Sequence, residues 1–353
     1  MKHGFGVVVG NPPWVSYAGK AAQPLDDGLR GWFSAFYSGF RGFRNLQGLF
    51  VERGAALLGA GGRLGLVLPS SMAELKGYEP SREAHDRVAE CDRELKDLGE
   101  DSFRGVFQPS MVLWSTRRSA TGTSSTGAPW PIARPDLDEE ARDILARMSG
   151  DPLPSHLFGE RGFQSTGTDV EHMLAAPTSG TVPIRVGSDI QAFQRRPASL
   201  HAETAWFGHR LRDPSEWAEI KVLIRQTARV PMAVRSDGAA FRNSILAGFE
   251  DDEYSADFLV AYLNSTPIRW FHFNRNRDAR MGIPQVKIGH LRAIPAPGDA
   301  TAIGRIEAIG AACSATNAGI GPEEQQQLDK VVAQALGLGD DLPRMRADAK
   351  AWS

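Results

Sequence analysis

Val7-Val8-Val9-Gly10-Asn11-Pro12-Pro13-Trp14 is the stretch that decides how this chain is read. Three consecutive valines favour a pleated strand, and the Asn-Pro step that follows favours its end. Asn11 carries one amide acceptor and two donors on a short stem. Pro12 and Pro13 fix φ and have no N–H to donate, and Pro12 pushes Asn11 toward extended backbone. The carbonyls beside Asn11 are thereby rigid and unpaired. Trp14 adds a flat π face, and stacking a base on an aromatic ring is worth about 1–3 kcal/mol. Together these groups suit a base taken out of its stack, with its exocyclic amine held against the Asn11 oxygen. The same four residues also describe a plain turn packed on a tryptophan, so the rest of the chain has to decide.

Composition sets wider bounds. A chain of 353 residues with 42% apolar content has room for two globular domains. No run approaches the roughly 20 apolar residues of a membrane helix, and the start MKHGFGVVVGNPP lacks the layout of a signal peptide. A cytoplasmic protein without a membrane partner is expected. Cys91 and Cys313 are too few for a disulfide framework or a cysteine zinc site. The histidines show no H-x-x-x-H spacing, so no metal is expected. Net charge is −2, which does not mark a nucleic-acid binder, but the local charge does. Arg269, Arg275, Arg277, Arg280, Lys287 and Arg292 stand against one acid, Asp278, with Trp270, Phe271 and Phe273 interleaved. Basic groups near aromatics suit phosphate contacts, and a solvated charged loop is the plainer alternative. The acidic run Glu250-Asp251-Asp252-Glu253 reads as a solvated helix start.

Along the chain, residues 1–118 read as α/β. A strand at Val7–Gly10 is followed by a helix near Gly48–Leu58, a strand at Arg63–Leu68, a charged helix-prone stretch at Glu83–Leu98, and strands near Val106 and at Met111–Trp114. Helical spacing of Glu and Arg supports the helix over Glu83–Leu98. The aromatics Trp32, Phe33, Phe36, Tyr37, Phe40, Phe43 and Phe50 either line a cleft or, more plainly, pack the core. Residues 119–130 are rich in Ser, Thr and Gly and read as a flexible linker, followed by a helix at Asp138–Met148. From Pro152, short β-like runs alternate with Gly and Pro, and helices are expected at Asp257–Asn264, Asp299–Ser314 and Pro322–Leu336.

In several of these stretches the chain resembles the N6-adenine DNA methyltransferases of restriction–modification systems, specifically the Taq-type and type IIG group. There an apolar strand ends in N-P-P followed by an aromatic residue. Phe50–Met72, FVERGAALLGAGGRLGLVLPSSM, looks like the family's next helix–turn–strand unit, and Phe103–Arg117, FRGVFQPSMVLWSTR, like its closing strands. Val182–Phe193, Leu223–Phe249 with its Arg-Gln-Thr core and later Asn-Ser, and Phe258–Pro297 are similar to the group's target-recognition domain. The resemblance implies an α/β fold: a partial Rossmann-like methyltransferase sheet followed by a β-rich α+β target-recognition domain. It divides the chain into a catalytic part at 1–118, a linker and helix at 119–150, and a recognition domain with closing helices at 151–353.

It also implies site-specific transfer of a methyl group from S-adenosylmethionine to a flipped adenine in double-stranded DNA, in restriction–modification or phage defence. Asn11, Pro12, Pro13 and Trp14 would be catalytic, and Arg225, Gln226, Arg275, Arg277, Arg280, Gln285 and Lys287 would contact DNA. Two departures stand out. Gly6 occupies the place where the family usually has an aspartate five residues before the asparagine. The family's cofactor loop lies upstream of the N-P-P motif, and Gly59–Gly65 precedes a strand instead of joining strand to helix, the order a nucleotide loop needs. The cofactor site is therefore expected to be incomplete in this chain and supplied by a separate chain or an upstream segment. A non-catalytic DNA-binding specificity subunit, or an inactive fragment, is the alternative. Pro135-Asp136 lacks a suitably placed lysine, so no nuclease is expected here.

Overall fold

The valine run forms β1 (Phe5–Gly10), which lies parallel to β2 (Leu58–Pro69) with Val8 opposite Leu64 and Gly10 opposite Leu66. Parallel neighbours need a crossover, and here it contains α1 (Asp27–Phe36) and α2 (Leu46–Leu57). Each of these helices is started by a side-chain cap: Asp26 accepts from the Gly28 and Leu29 amides, and Asn45 from the Gly48 amide. The computed structural model describes residues 4–17, 23–91, 94–99, 103, 108–119, 127–132, 137–148, 150–165, 167–276 and 284–352. It resolves into two compact units, Met1–Asp136 and Leu137–Ser353.

In the first unit β2 is followed by α3 (Ser71–Glu74), α4 (Glu79–Asp86), β3 (Ala89–Cys91), β4 (Lys96–Gly99) and β5 (Ser110–Arg117). Among the described residues these strands make one five-stranded sheet in the order β1-β2-β5-β3, with β4 also pairing β5. β5 runs antiparallel to β2, and Trp114 faces Gly65. A Cβ at position 65 would stand 2.5 Å from the Trp114 ring, so only glycine admits the indole there. Leu64, Leu66, Leu68, Met111 and Leu113 form the core with Val51 and Ala55 of α2.

Two expectations are corrected. The helix expected over Glu83–Leu98 stops at Asp86, and Ala89–Cys91 and Lys96–Gly99 are strands on β5. The ladder and the burial of Ala89 and Leu95 outweigh i,i+4 charge pairs worth about 0.2–0.5 kcal/mol each. The aromatics of Trp32–Phe50 are not mainly core. Phe40 is buried, whereas Trp32, Phe36, Phe43 and Phe50 are exposed, and α1 buries none of its residues.

The expected strand near Val106 and the linker residues 120–126 lie outside the described residues. Residues 127–132 are anchored. Arg82 is buried and donates through Nε to the carbonyls of Gly127 (2.8 Å) and Ala128 (3.0 Å), and through Nη1 to those of Met72 (2.8 Å) and Leu75 (3.0 Å). Burial holds its guanidinium below the usual arginine range, against the pull of Glu79, Asp86 and Glu74. Trp130 is buried behind it and its indole donates to Asp86.

The second unit opens with α5 (Glu139–Arg147), capped by Asp138. Its strands are β6 (Phe158–Gly159), β7 (Met173–Leu174), β8 (Thr181–Arg185), β9 (Ile190–Gln191), β10 (Gln194–Arg195), β11 (Leu200–Glu203), β12 (Val222–Arg225), β13 (Ala233–Arg235), β14 (Ala240–Phe241) and β15 (Ile245–Gly248). Short helices α6 (Thr204–Phe207) and α7 (Pro214–Ala218) lie between β11 and β12. Among the described residues the strands form two four-stranded sheets, β14-β8-β11-β7 and β13-β12-β15-β6, and a β9–β10 ribbon.

Among the described residues six helices follow the strands: α8 (Ala256–Asn264), α9 (Thr266–Arg275), α10 (Ile288–Leu291), α11 (Ala300–Thr316), α12 (Pro322–Ala335) and α13 (Leu342–Asp348). α8 is buried on nearly every side and joins β12 and α5 to the closing helices in one core. Among the described residues no helix is long and apolar enough to cross a membrane.

Replacing Arg82 by alanine strips four carbonyls of their donor, and an unmet buried partner costs about 1–3 kcal/mol. We expect Arg82→Ala to lower unfolding stability by about 3 kcal/mol. Urea unfolding followed by tryptophan fluorescence checks this, and a midpoint equal to that of the unaltered chain refutes it.

Candidate functional site

β1 ends at Gly10, which pairs with Leu66, and β2 continues past it to Pro69. The carboxyl ends of parallel strands are where open α/β sheets bind ligands. Pro12 turns the chain off the sheet and is buried, while Asn11 and Pro13 are exposed. The half-buried Trp14 donates from Nε1 to the Val67 carbonyl at 3.3 Å. The loop is also tied to the start of α2, where the Leu46 amide donates to Val15 and the Tyr17 amide to Arg44.

The Asn11 amide has no hydrogen-bond partner among the described residues, which leaves its oxygen available. Phe103 meets Trp14 edge to face, with ring centroids 5.8 Å apart at 88°. Asn11, Pro12, Pro13, Trp14 and Phe103 line a shallow pocket of about 330 Å³. Thus the structure brings the four sequence-expected residues together and adds Phe103. That phenylalanine carries no local signal, because it reaches the site through the pairing of distant strands.

In the second unit, Arg225 closes β12 and its Nε donates to the Thr227 carbonyl at 2.9 Å. The Gln226 amide donates to Ser244, and the Gln226 carbonyl accepts from the Val286 amide at 2.7 Å. Gln285-Val286-Lys287 is therefore fastened to Arg225-Gln226, and these residues share one surface. The Lys287 amide donates to His290 Nδ1 at the start of α10.

Gln226 also lines a cleft of about 1040 Å³ with Gln164, Arg210, Arg212, Glu216 and Asn243. Sequence reasoning flagged only Gln226 and the Asn-Ser step at 243–244; the others come from a separate stretch of chain. Arg275 is exposed at the end of α9, its guanidinium over the Phe271 ring. Arg277 and Arg280 lie outside the described residues.

The basic and aromatic stretch is corrected in part. Trp270, Phe271 and Phe273 are buried in the core, and among the described cations of the stretch the exposed Arg275 lies over one of them, Phe271. Trp270 donates to Asp348, and the half-buried Arg269 donates to the Pro231 carbonyl (3.0 Å) and to Asn264 Oδ1 (2.9 Å). Burial pushes Arg269 down to about 10, against the attraction of Asp329. Arg292 donates to the Phe158 carbonyl. Helical periodicity turns Trp270, Phe271 and Phe273 inward, which a count of charges does not register, while Arg292 stays exposed. Asp251 in the acidic run accepts from the Glu253 and Tyr254 amides and pairs with His156, so that run is a structured turn before α8.

Comparison with known proteins now bears on this geometry. Residues 1–98 match the Eco57I restriction–modification methylase family. The chain is a relative of the restriction–modification methyltransferases. It is 27% identical over 320 residues to the type II methyltransferase M.TthHB8I of Thermus thermophilus, covering 83% of this chain and 72% of that one. Its fold resembles that of the type IIL restriction–modification enzyme MmeI, solved in complex with DNA. The TM-score is 0.54 at 12% identity, over 97% of this chain. The chain spans 57% of MmeI, and at that identity the likeness speaks for the fold alone. The architecture is accordingly mixed α/β with several sheets.

The contrast within the basic stretch gives a prediction. Arg269→Ala removes a half-buried charged donor to Pro231 and Asn264 and should destabilise the second unit by about 2 kcal/mol. Arg275→Ala, at an exposed position, should stay within about 1 kcal/mol. Paired thermal and urea unfolding checks this; equal losses in the two variants would show that burial does not separate them.

Proposed function

We propose that this chain is the base-binding and target-recognition part of a DNA methyltransferase that acts on the exocyclic amine of adenine. The observation that carries the reading is the pocket itself: an Asn11 amide with no partner among the described residues, rigid proline carbonyls and two aromatic rings at the end of β1. In this reading the extruded base stacks on Trp14, with Phe103 bounding the pocket. The Asn11 oxygen and the Pro12 carbonyl accept from the two amine hydrogens. Those bonds draw density onto the nitrogen and aim its lone pair outward. Neither acceptor has to reorganise as charge develops, which is where enzymes gain most.

The family match implies S-adenosylmethionine as the methyl donor. The described residues do not make its cradle. The glycines at 59–65 lie inside β2, paired with β1, and do not join a strand to a helix. No step of the reaction is therefore assigned through the cofactor. The open side of β1 is where it would enter. Among the described residues β2 is the only strand paired with β1, and Phe5, Val7 and Val9 are 50%, 62% and 68% exposed. An apolar free edge takes up a further strand, and we assign that strand to the cofactor-binding segment, on this polypeptide or another. In the second unit, the shared surface of Arg225, Gln226, Gln285 and Lys287, together with Arg275, Arg277 and Arg280, is assigned to double-stranded DNA.

The arrangement of the glycines also favours a second reading, a specificity subunit that binds DNA without methylating it. Asn11→Ala separates the two. Under the first reading, methyl transfer in the cofactor-competent assembly falls by on the order of 10²–10³-fold, while affinity for DNA changes by less than about 2-fold. Methyl groups on digested DNA are then found at adenine N6. Methylation on cytosine, or equal loss of binding and transfer, would defeat the role given to Asn11. DNA binding with no transfer in any assembly would establish the second reading.

A further inference from the structure

A second cluster of reactive side chains lies at the far end of β5 from the pocket's strand end. His85 and Asp86 close α4, and Cys91 stands on β3 directly opposite Ser115 of β5. Directly opposed residues of an antiparallel pair point to the same face. The Ser115 hydroxyl is 2.8 Å from His85 Nε2, which stands the imidazole over that face. Its Nδ1 lies 2.7 Å from Asp86 Oδ1. One donor atom from each of His85, Asp86 and Cys91 lies within 4.8 Å of the other two, and no other such group of His, Cys, Asp or Glu occurs among the described residues.

The surroundings match what metal ligands require. A ligating imidazole commonly holds its second nitrogen on a fixed partner, and a ligating carboxylate is itself hydrogen-bonded. Here Ser115 holds Nε2, and the Trp130 indole donates to Asp86 at 2.9 Å while its ring packs edge-on against the imidazole. His85 is fully buried, whereas Asp86 and Cys91 are half-buried, so the cluster has one side open to solvent. Tetrahedral zinc holds its ligand atoms roughly 3.3–3.8 Å apart, a spacing the cluster reaches with small side-chain adjustments. Nitrogen, carboxylate and sulfur donors together suit zinc better than magnesium or calcium.

We propose that His85, Asp86 and Cys91 bind a zinc-class divalent cation, with water as fourth ligand. Binding would release the Cys91 thiol proton, and the imidazole would keep its single proton on Nε2, donated to the Ser115 hydroxyl. The ion would clip the end of α4 to β3. The expectation of no metal rests on histidine spacing alone, whereas this group joins one histidine to an acid and a cysteine across the turn from α4 to β3. The proposal does not depend on the methyltransferase reading.

The test is titration of the full-length, chelator-stripped protein with Co²⁺ as a zinc probe. One equivalent should bind with a thiolate-to-cobalt charge-transfer band and d–d absorption of tetrahedral intensity, both displaced by Zn²⁺. Cys91→Ser should lose the charge-transfer band and Cys313→Ser should keep it. Zn²⁺ should raise the melting temperature of the unaltered chain but not of Asp86→Asn, a variant used because His85 substitutions disturb the core. A band that survives Cys91→Ser, no thiolate band, or Zn²⁺ binding weaker than about 100 µM would overturn the proposal and leave a metal-free hydrogen-bond network.

Discussion

The parallel register of β1 on β2 is the constraint on which the first unit depends. It sets Gly10 beside Leu66 and so delivers Asn11-Pro12-Pro13-Trp14 alongside the last residues of β2. One residue of slip would turn Val8 out of the core and bring Val7 and Val9 in. The register is held through the crossover. Asn45 caps α2, and α2 lays Val51 and Ala55 on the sheet. The indole of Trp14 then closes the circuit by donating to β2 at Val67. The pocket is thus shaped by elements whose sequences lie far from it.

In the second unit the buried helix α8 plays the corresponding part. Asn264 at its end both accepts from and donates to the backbone of Ala233 on β13, completing the strand where no neighbouring strand does. Tyr262 on the same helix donates to the Pro295 carbonyl at 2.7 Å. Burial pushes its phenol well above the usual tyrosine range, so the hydroxyl stays a donor. The same polar side chains that stabilise this core also recruit Arg269, which removes it from the pool of surface cations. Net charge and charge clusters therefore overstate the surface available for a polyanion.

Much of the chain is legible from local pattern. The valine strand, α2, β2, β5, α5, α8, α11 and α12 all fall within a few residues of where periodicity and caps place them, because each carries its own burial signal. The failures share a cause. Glu83–Leu98 has helical charge spacing, but β5 offers Ala89 and Leu95 a buried face that no isolated helix provides. Phe103 and the cleft residues Gln164 and Arg210 reach their sites across long separations, and His85, Asp86 and Cys91, though near in sequence, meet because the chain turns from α4 straight into β3. A period-based reading assigns each residue a face and leaves open which distant residue will meet that face.

Among the described residues the site-bearing strand is also an edge strand, supported on one side. β1 has a single partner among the described residues, and the apolar side chains of its free edge and of α1 face outward. A hydrogen-bond acceptor such as Asn11 helps a reaction only if its position is held closely, since a displacement of about 1 Å costs on the order of 10²-fold. Covering the edge buries Val7 and Val9 and adds a second ladder to β1, so it stiffens the strand whose end presents Asn11. Edge pairing and base binding are then linked through one element: what binds the edge favours the ordered pocket, and a base in the pocket favours the ordered edge. That reciprocity follows from linkage, and it makes the open side of β1 as much a part of the site as the four residues at its tip.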